Sequence, residues 1–92
     1  MRWKGAYFSL HVLMRESGPR LGIVVSKRYG TAVERNRIKR RIREAFRRIA
    51  AVLPTVDIII LPAEGCRRLG VEDIGRRLIE AVNATVTREV AE

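Results

Sequence analysis

Between Asn36 and Leu53 the chain reads as a helix with two unlike sides, and that helix constrains everything around it. Apolar residues fall at Ile38, Ile42, Ala45, Phe46, Ile49 and Leu53, the i, i+4, i+7, i+8 spacing of one helical face. At about one hundred degrees per residue, Asn36, Arg40, Arg43 and Arg47 line up opposite that face, and Arg37, Arg41, Glu44 and Arg48 form a second row beside them. The oily side is core and needs a sheet to cover. Glu44 lies one turn from Arg40, Arg41, Arg47 and Arg48, a spacing that predicts helix-surface ion pairs tying the row together. Pro54 ends the helix.

The same region holds most of the charge. Lys27 to Arg48 carries ten Lys/Arg against two Glu, so eight of the chain's nine net positive charges sit in this one stretch. Dispersed cations would keep the protein equally soluble with less self-repulsion, so the concentration marks a binding surface for a polyanion. Sixteen of the nineteen basic residues of the chain are Arg, which favours forked contacts to phosphate and stacking on bases over point-charge attraction. Nucleic acid is the expected partner, ahead of an acidic membrane.

Ninety-two residues, nearly half of them apolar, suit one nucleic-acid-binding domain over 1–92 with a core of its own, not a disordered basic tail. Cys66 and His11 are the only residues of their kinds, so no CxxC pair, Cys/His cluster or HExxH motif is present, and no metal ligand set or internal disulfide is expected. No Ser/His/Asp or Cys/His set and no phosphate loop can be assembled either, so no catalytic residue is assigned to the polypeptide. The lone cysteine and the lack of an apolar run of membrane-spanning or signal-peptide length predict a soluble cytoplasmic protein.

Before the helix, Tyr7 to Met14 alternates with period two, Phe8, Leu10, Val12 and Met14 on an apolar face and Tyr7, Ser9, His11 and Leu13 on a mixed one. After a turn at Glu16 to Pro19, Arg20 to Ser26 resumes as a strand, and the two pair most simply as an antiparallel hairpin. Val56 to Leu61 is short, continuously apolar and β-branched, which predicts a central strand covered on both sides. Val71, Ile74, Leu78, Ile79, Val82 and Val86 return to helical spacing, with Glu72 and Asp73 at the N-terminal end. The predicted order is β, β, α, β, α, a small two-layer α+β sandwich like those of ribosomal proteins.

Ser26 to Arg47 reads Ser-Lys-Arg-x-Gly-x-Ala-Val-x-Arg-Asn-Arg-x-Lys-Arg-x-x-Arg-Glu-x-x-Arg, with Arg35, Asn36 and Arg37 at its centre, if the variable positions are left open. This closely resembles the signature of the bacterial ribonuclease P protein subunit. The Arg20-x-Gly22 strand, the Phe8 to His11 strand, the Asp57 to Ile60 strand and the last amphipathic helix follow in that family's order.

The resemblance implies a protein that assists a ribozyme: an RNA subunit cleaves the 5′ leader of precursor tRNA with Mg2+, while the protein binds that RNA and holds the leader. It implies RNA contacts from Arg35, Arg37, Lys39, Arg40, Arg43 and Arg47, and places Lys27 and Arg28 beside the leader cleft. For Asn36 two readings stand, hydrogen bonding to a base edge or capping the helix. For Tyr7 and His11 they are ring platforms for the leader, or cover for the sheet edge. Gly30 is read as permitting a left-handed turn. No protein partner is implied.

The chain departs from the family in three places. The family's N-terminal helix and short strand are absent before the Phe8 strand, leaving open whether Trp3 covers the sheet edge or the start lies upstream. Pro62 and Ala63 stand where a basic residue is usual, and Glu34 is acidic where a basic residue is common. The resemblance also implies a left-handed crossover through the basic helix, against the general right-handed rule. The rival reading is a ribosomal or other structural RNA-binding protein. A DNA-binding module fits less well, because few Asn, Gln or Ser stand among the arginines to read bases. A membrane-surface helix fits less well still, because the sheet needs the apolar face.

Overall fold

The computed structural model describes residues 1–91. It contains strands β1 (Arg2–Lys4), β2 (Phe8–Met14) and β3 (Arg20–Ile23), helix α1 (Ala32–Ile49), strand β4 (Val56–Pro62) and helix α2 (Val71–Ala91). Short 3-10 turns occupy Lys27–Tyr29, Ala50–Val52 and Glu64–Arg68. The two-layer α+β arrangement is as predicted, with one strand more.

The sheet order is β1-β2-β4-β3, so the predicted hairpin does not form. β4 lies between the two strands expected to pair with each other, antiparallel to β2 (Leu10 opposite Ile60) and parallel to β3 (Leu21 opposite Ile58). The reason is backbone satisfaction: β4 is the most apolar strand, and a central place gives its N–H and C=O groups partners on both edges. Joining the parallel pair β3 and β4 requires a long crossover, and α1 supplies it.

β1 corrects the expectation that the short strand is missing. It pairs antiparallel with β2, Trp3 opposite Leu10, and the Met1 amino group donates to the Val12 carbonyl at 2.9 Å. Trp3 packs beside Phe8 with ring centres 5.5 Å apart.

Both helices lie on one face of the sheet. Phe8, Leu10 and Val12 of β2 and Val56, Ile58 and Ile60 of β4 meet Ile38, Ile42 and Ala45 of α1 and Ile74, Leu78 and Val82 of α2, and all of these side chains are at most 2% exposed. Each large apolar side chain so buried contributes roughly 1.5–3 kcal/mol. At the helix crossing Gly75 lies close to α1, where a β-carbon would stand 3.2 Å from Ile49 Cγ2.

β4 is therefore not covered on both sides. Ile58 is 1% exposed and Ile59 44%. Two helices suffice for one face of four strands, and the other face is left open.

Candidate nucleic-acid interface

The first turn of α1 decides which of its side chains are free. Thr31 Oγ1 accepts from the Glu34 amide at 3.2 Å and Glu34 Oε1 accepts from the Thr31 amide at 3.1 Å, a complete capping box. Asn36 is thus not the cap. It sits inside the helix, exposed, and its side chain makes no hydrogen bond among the described residues. The Thr31-x-x-Glu34 spacing is the sequence signal that separates the two readings of Asn36, and it also explains the acid at position 34.

Gly30 is not a left-handed turn residue. Its φ of 157° and ψ of −160° fall in an extended region open essentially to glycine, and a β-carbon there would stand 2.9 Å from the Glu34 carboxylate. The Gly30 carbonyl accepts from the Arg35 guanidinium at 2.6 Å, so the half-buried Arg35 also holds this turn.

Arg41 turns inward. Its guanidinium donates to the carbonyls of Arg67 and Leu69, both at 2.9 Å. Arg67 in turn stacks over the Tyr29 ring at 4.5 Å, donates to the Tyr29 carbonyl, and pairs with Glu34 at 2.6 Å. Capping by the Thr31 amide and then the Arg67 guanidinium hold the Glu34 carboxyl below its usual range. Lys27 and Arg28 project from the turn in which Tyr29 is buried. Nothing local in the sequence marks Arg67 for this role.

Of the four arginines predicted to pair with Glu44, two do. Arg47 donates to it at 2.6 and 3.0 Å and Arg48 at 3.0 Å, and these bonds, Arg47's foremost, push the Glu44 carboxyl down to about 2. Lys27, Arg28, Arg37, Lys39, Arg40 and Arg43 have no carboxylate partner among the described residues. These unpaired cations, four of them on α1, form the basic surface.

The open sheet face is the second component. Ser9, His11 and Leu13 of β2 lie beside Leu61, Ile59 and Asp57 of β4. Register adds Arg2 and Lys4 on one edge and Arg20 on the other. His11 is exposed and lines two shallow cavities, of about 290 and 270 Å3, one shared with Arg2 and Lys4 and the other with Leu13 and Ile59. Asp57 accepts from Arg15 at 2.8 Å and Arg20 at 3.1 Å.

Tyr7 is elsewhere. β2 begins only at Phe8, the Gly5 amide bonds the Phe8 carbonyl at 3.0 Å, and the bend carries Tyr7 to the helix side. There its ring stacks under the Arg77 guanidinium of α2 at 4.4 Å. Tyr7 and His11 do not form a joint platform. Cys66 is fully buried, and burial pushes its thiol up to about 11. Among the described residues no three His, Cys, Asp or Glu gather as metal ligands, and no helix is long and apolar enough to cross a membrane.

The family sequence model described as Ribonuclease P matches residues 1–86, which take in both the basic helix and the open face. The chain belongs to the ribonuclease P protein family. The ribonuclease P protein component of Syntrophobacter fumaroxidans is 50% identical over 64 residues, 65% of this chain and 52% of that protein. That of Finegoldia magna is 36% identical over 85 residues, 91% of this chain and 71% of the relative. The chain spans about half the length of several other relatives, 47% for a Thermotoga maritima protein component. Among solved structures, the RNase P protein from Thermotoga maritima superposes with a TM-score of 0.78 at 31% identity, covering 89% of this chain and 80% of that one. The Staphylococcus aureus RNase P protein gives 0.76 at 29% identity, covering 92% and 80%. The ribonuclease P fold is thus present here with its basic helix and an uncovered sheet face.

Proposed function

We propose that this chain is the protein subunit of ribonuclease P, which binds the catalytic RNA and the 5′ leader of precursor tRNA and supports Mg2+-dependent 5′ maturation in the cytoplasm. The observation that carries this reading is the set of unpaired cations on α1, Arg37, Lys39, Arg40 and Arg43, in a chain of this family. Each such cation neutralises a phosphate and releases a counterion, so binding strengthens as salt falls.

The leader is the expected occupant of the open face. An unpaired strand is held by stacking its bases on flat side chains beside cations, and His11 with Arg2 and Lys4 supplies such a place on a surface extended by Ile59 and Leu13. Lys27 and Arg28 are the further cations assigned to this role. The chemistry is assigned to the RNA and the Mg2+ it binds, and the polypeptide's part is charge neutralisation and placement.

The test is 5′ cleavage of precursor tRNA by the cognate RNA subunit at low Mg2+, with and without the chain, using long and one-nucleotide leaders. Stimulation is expected, greater for the long leader and reduced by His11→Ala. Equal stimulation for both leaders would remove the leader role. None at all would leave a structural RNA-binding protein as the function.

A further inference from the structure

A cavity of about 350 Å3 lies across the sheet from His11, between the β1–β2 bend and α2. Its size is within the roughly 300–1,000 Å3 of pockets that hold small organic ligands. Trp3, Tyr7 and Phe8 give it an aromatic wall, and its charged side chains are Arg77 and Glu80, one helical turn apart on α2. That spacing suits an ion pair, yet among the described residues neither of them forms one. Arg77 is held over the Tyr7 ring at 4.4 Å, and its Nε is buried with no acceptor. Arg76, the other cation one turn from Glu80, is taken by Asp73 at 2.6 Å. A buried donor without an acceptor is costly, and here it shares an aromatic cavity with a carboxylate that has no donor.

We infer that this cavity is a binding site for a guanine base, stacked against the aromatic wall, with Arg77 donating to O6 and N7 and Glu80 accepting from N1–H and N2–H2. A guanidinium fork matches the O6 and N7 acceptors. Guanine alone among the four RNA bases carries two N–H groups side by side, and these match the two oxygens of a carboxylate. The two edges adjoin at O6, so their partners must be neighbours, as residues i and i+3 of a helix are. Adenine and cytosine would set a ring nitrogen against the Glu80 carboxylate, and uracil would set a carbonyl on either side of its single N–H. Aromatic side chains hold any base by its flat face, so stacking supplies affinity here and the two charged groups supply the choice.

Trp3 is the only tryptophan of the chain, so its fluorescence reports on the cavity directly. The full chain is titrated with guanosine, inosine, 7-deazaguanosine and adenosine, neutral nucleosides that the basic helix does not attract. Guanosine should quench Trp3. Inosine, which lacks the amino group read by Glu80, and 7-deazaguanosine, which lacks the N7 read by Arg77, should each bind about tenfold more weakly. In Glu80→Ala guanosine and inosine should bind alike, and in Arg77→Met guanosine and 7-deazaguanosine should. Should Arg77→Met fail to fold, the comparison of nucleosides on the wild type still decides. Equal binding of all four nucleosides, or no response of Trp3 to any of them, would overturn the inference. The measurement uses no ribonuclease P RNA, so its failure leaves the proposed subunit role standing. A pentanucleotide with one central guanosine that binds more tightly than GMP, while its all-uridine counterpart leaves Trp3 unchanged, would assign the base to an RNA. Tighter binding of GMP would assign it to a free nucleotide, and both results keep the guanine site.

Discussion

Arg67 and Glu34 are thirty-three residues apart in sequence and meet at 2.6 Å. Their ion pair fastens the turn after β4 to the first turn of the basic helix, and Arg67 reaches past it to the Tyr29 carbonyl. The start of α1 is therefore held from outside the helix as well as by its own cap.

Arg67→Met should lower the melting temperature by about 5 °C, because both the ion pair and the bond to the Tyr29 carbonyl are lost. Glu34→Gln in the same background should cost little more, since the Arg67 partner is already gone and a glutamine can keep the capping bond to the Thr31 amide. Calorimetry of the single and double variants checks this, and additive losses would mean that the two residues act independently.

The Glu44 carboxyl titrates near 2 in the folded chain, below the 4.5 of an unpaired glutamate. A depressed folded value means that the stabilisation is complete above about pH 4.5 and disappears as pH falls towards 2. Wild type should therefore be more stable than Glu44→Gln at pH 6, and the two should converge near pH 2. Melting curves of both proteins across that window test the sign.

Arg43→Ala should reduce the salt slope of RNA binding by roughly 0.7 to 0.9, the loss of one phosphate contact. Arg47→Ala should reduce it less, because Glu44 already engages that guanidinium through two hydrogen bonds. Equal reductions would show that RNA displaces Glu44.

Ile58 and Ile59 are neighbours on β4 with opposite surroundings. Ile58→Ala should cost about 2–5 kcal/mol, as for other buried truncations. Ile59→Ala should cost about 1 kcal/mol or less. Denaturant unfolding of the two variants tests whether one face of the sheet is open in solution.

Cys66, buried and with its thiol raised to about 11, should not react with a thiol reagent at pH 8 in the native protein. Reaction should appear on unfolding in guanidinium.

Both helices were legible in the sequence because their apolar spacing is local and long, and the alternation of Phe8, Leu10 and Val12 marks β2 equally plainly. Strand order was not, since pairing Leu10 with Ile60 and Ile58 with Leu21 is decided across dozens of intervening residues. β1 escapes a pattern reading because three residues cut off by Gly5 are too few to show alternation. For the interface, the basic row of α1 was legible as a whole. Which members point outward was not: Arg35 and Arg41 are drawn to carbonyls that no helical periodicity places, whereas Arg40 and Arg43 have no competing acceptor among the described residues.

The central place of β4 has a consequence for how this protein is born. As the chain leaves the ribosome, β2 and β3 emerge with no strand between them, and α1 follows with its arginines and its oily face both uncovered. The sheet layer that buries α1 cannot close until Val56–Pro62 is clear of the exit tunnel, so the half of the molecule that carries the basic surface is synthesised before it has a core.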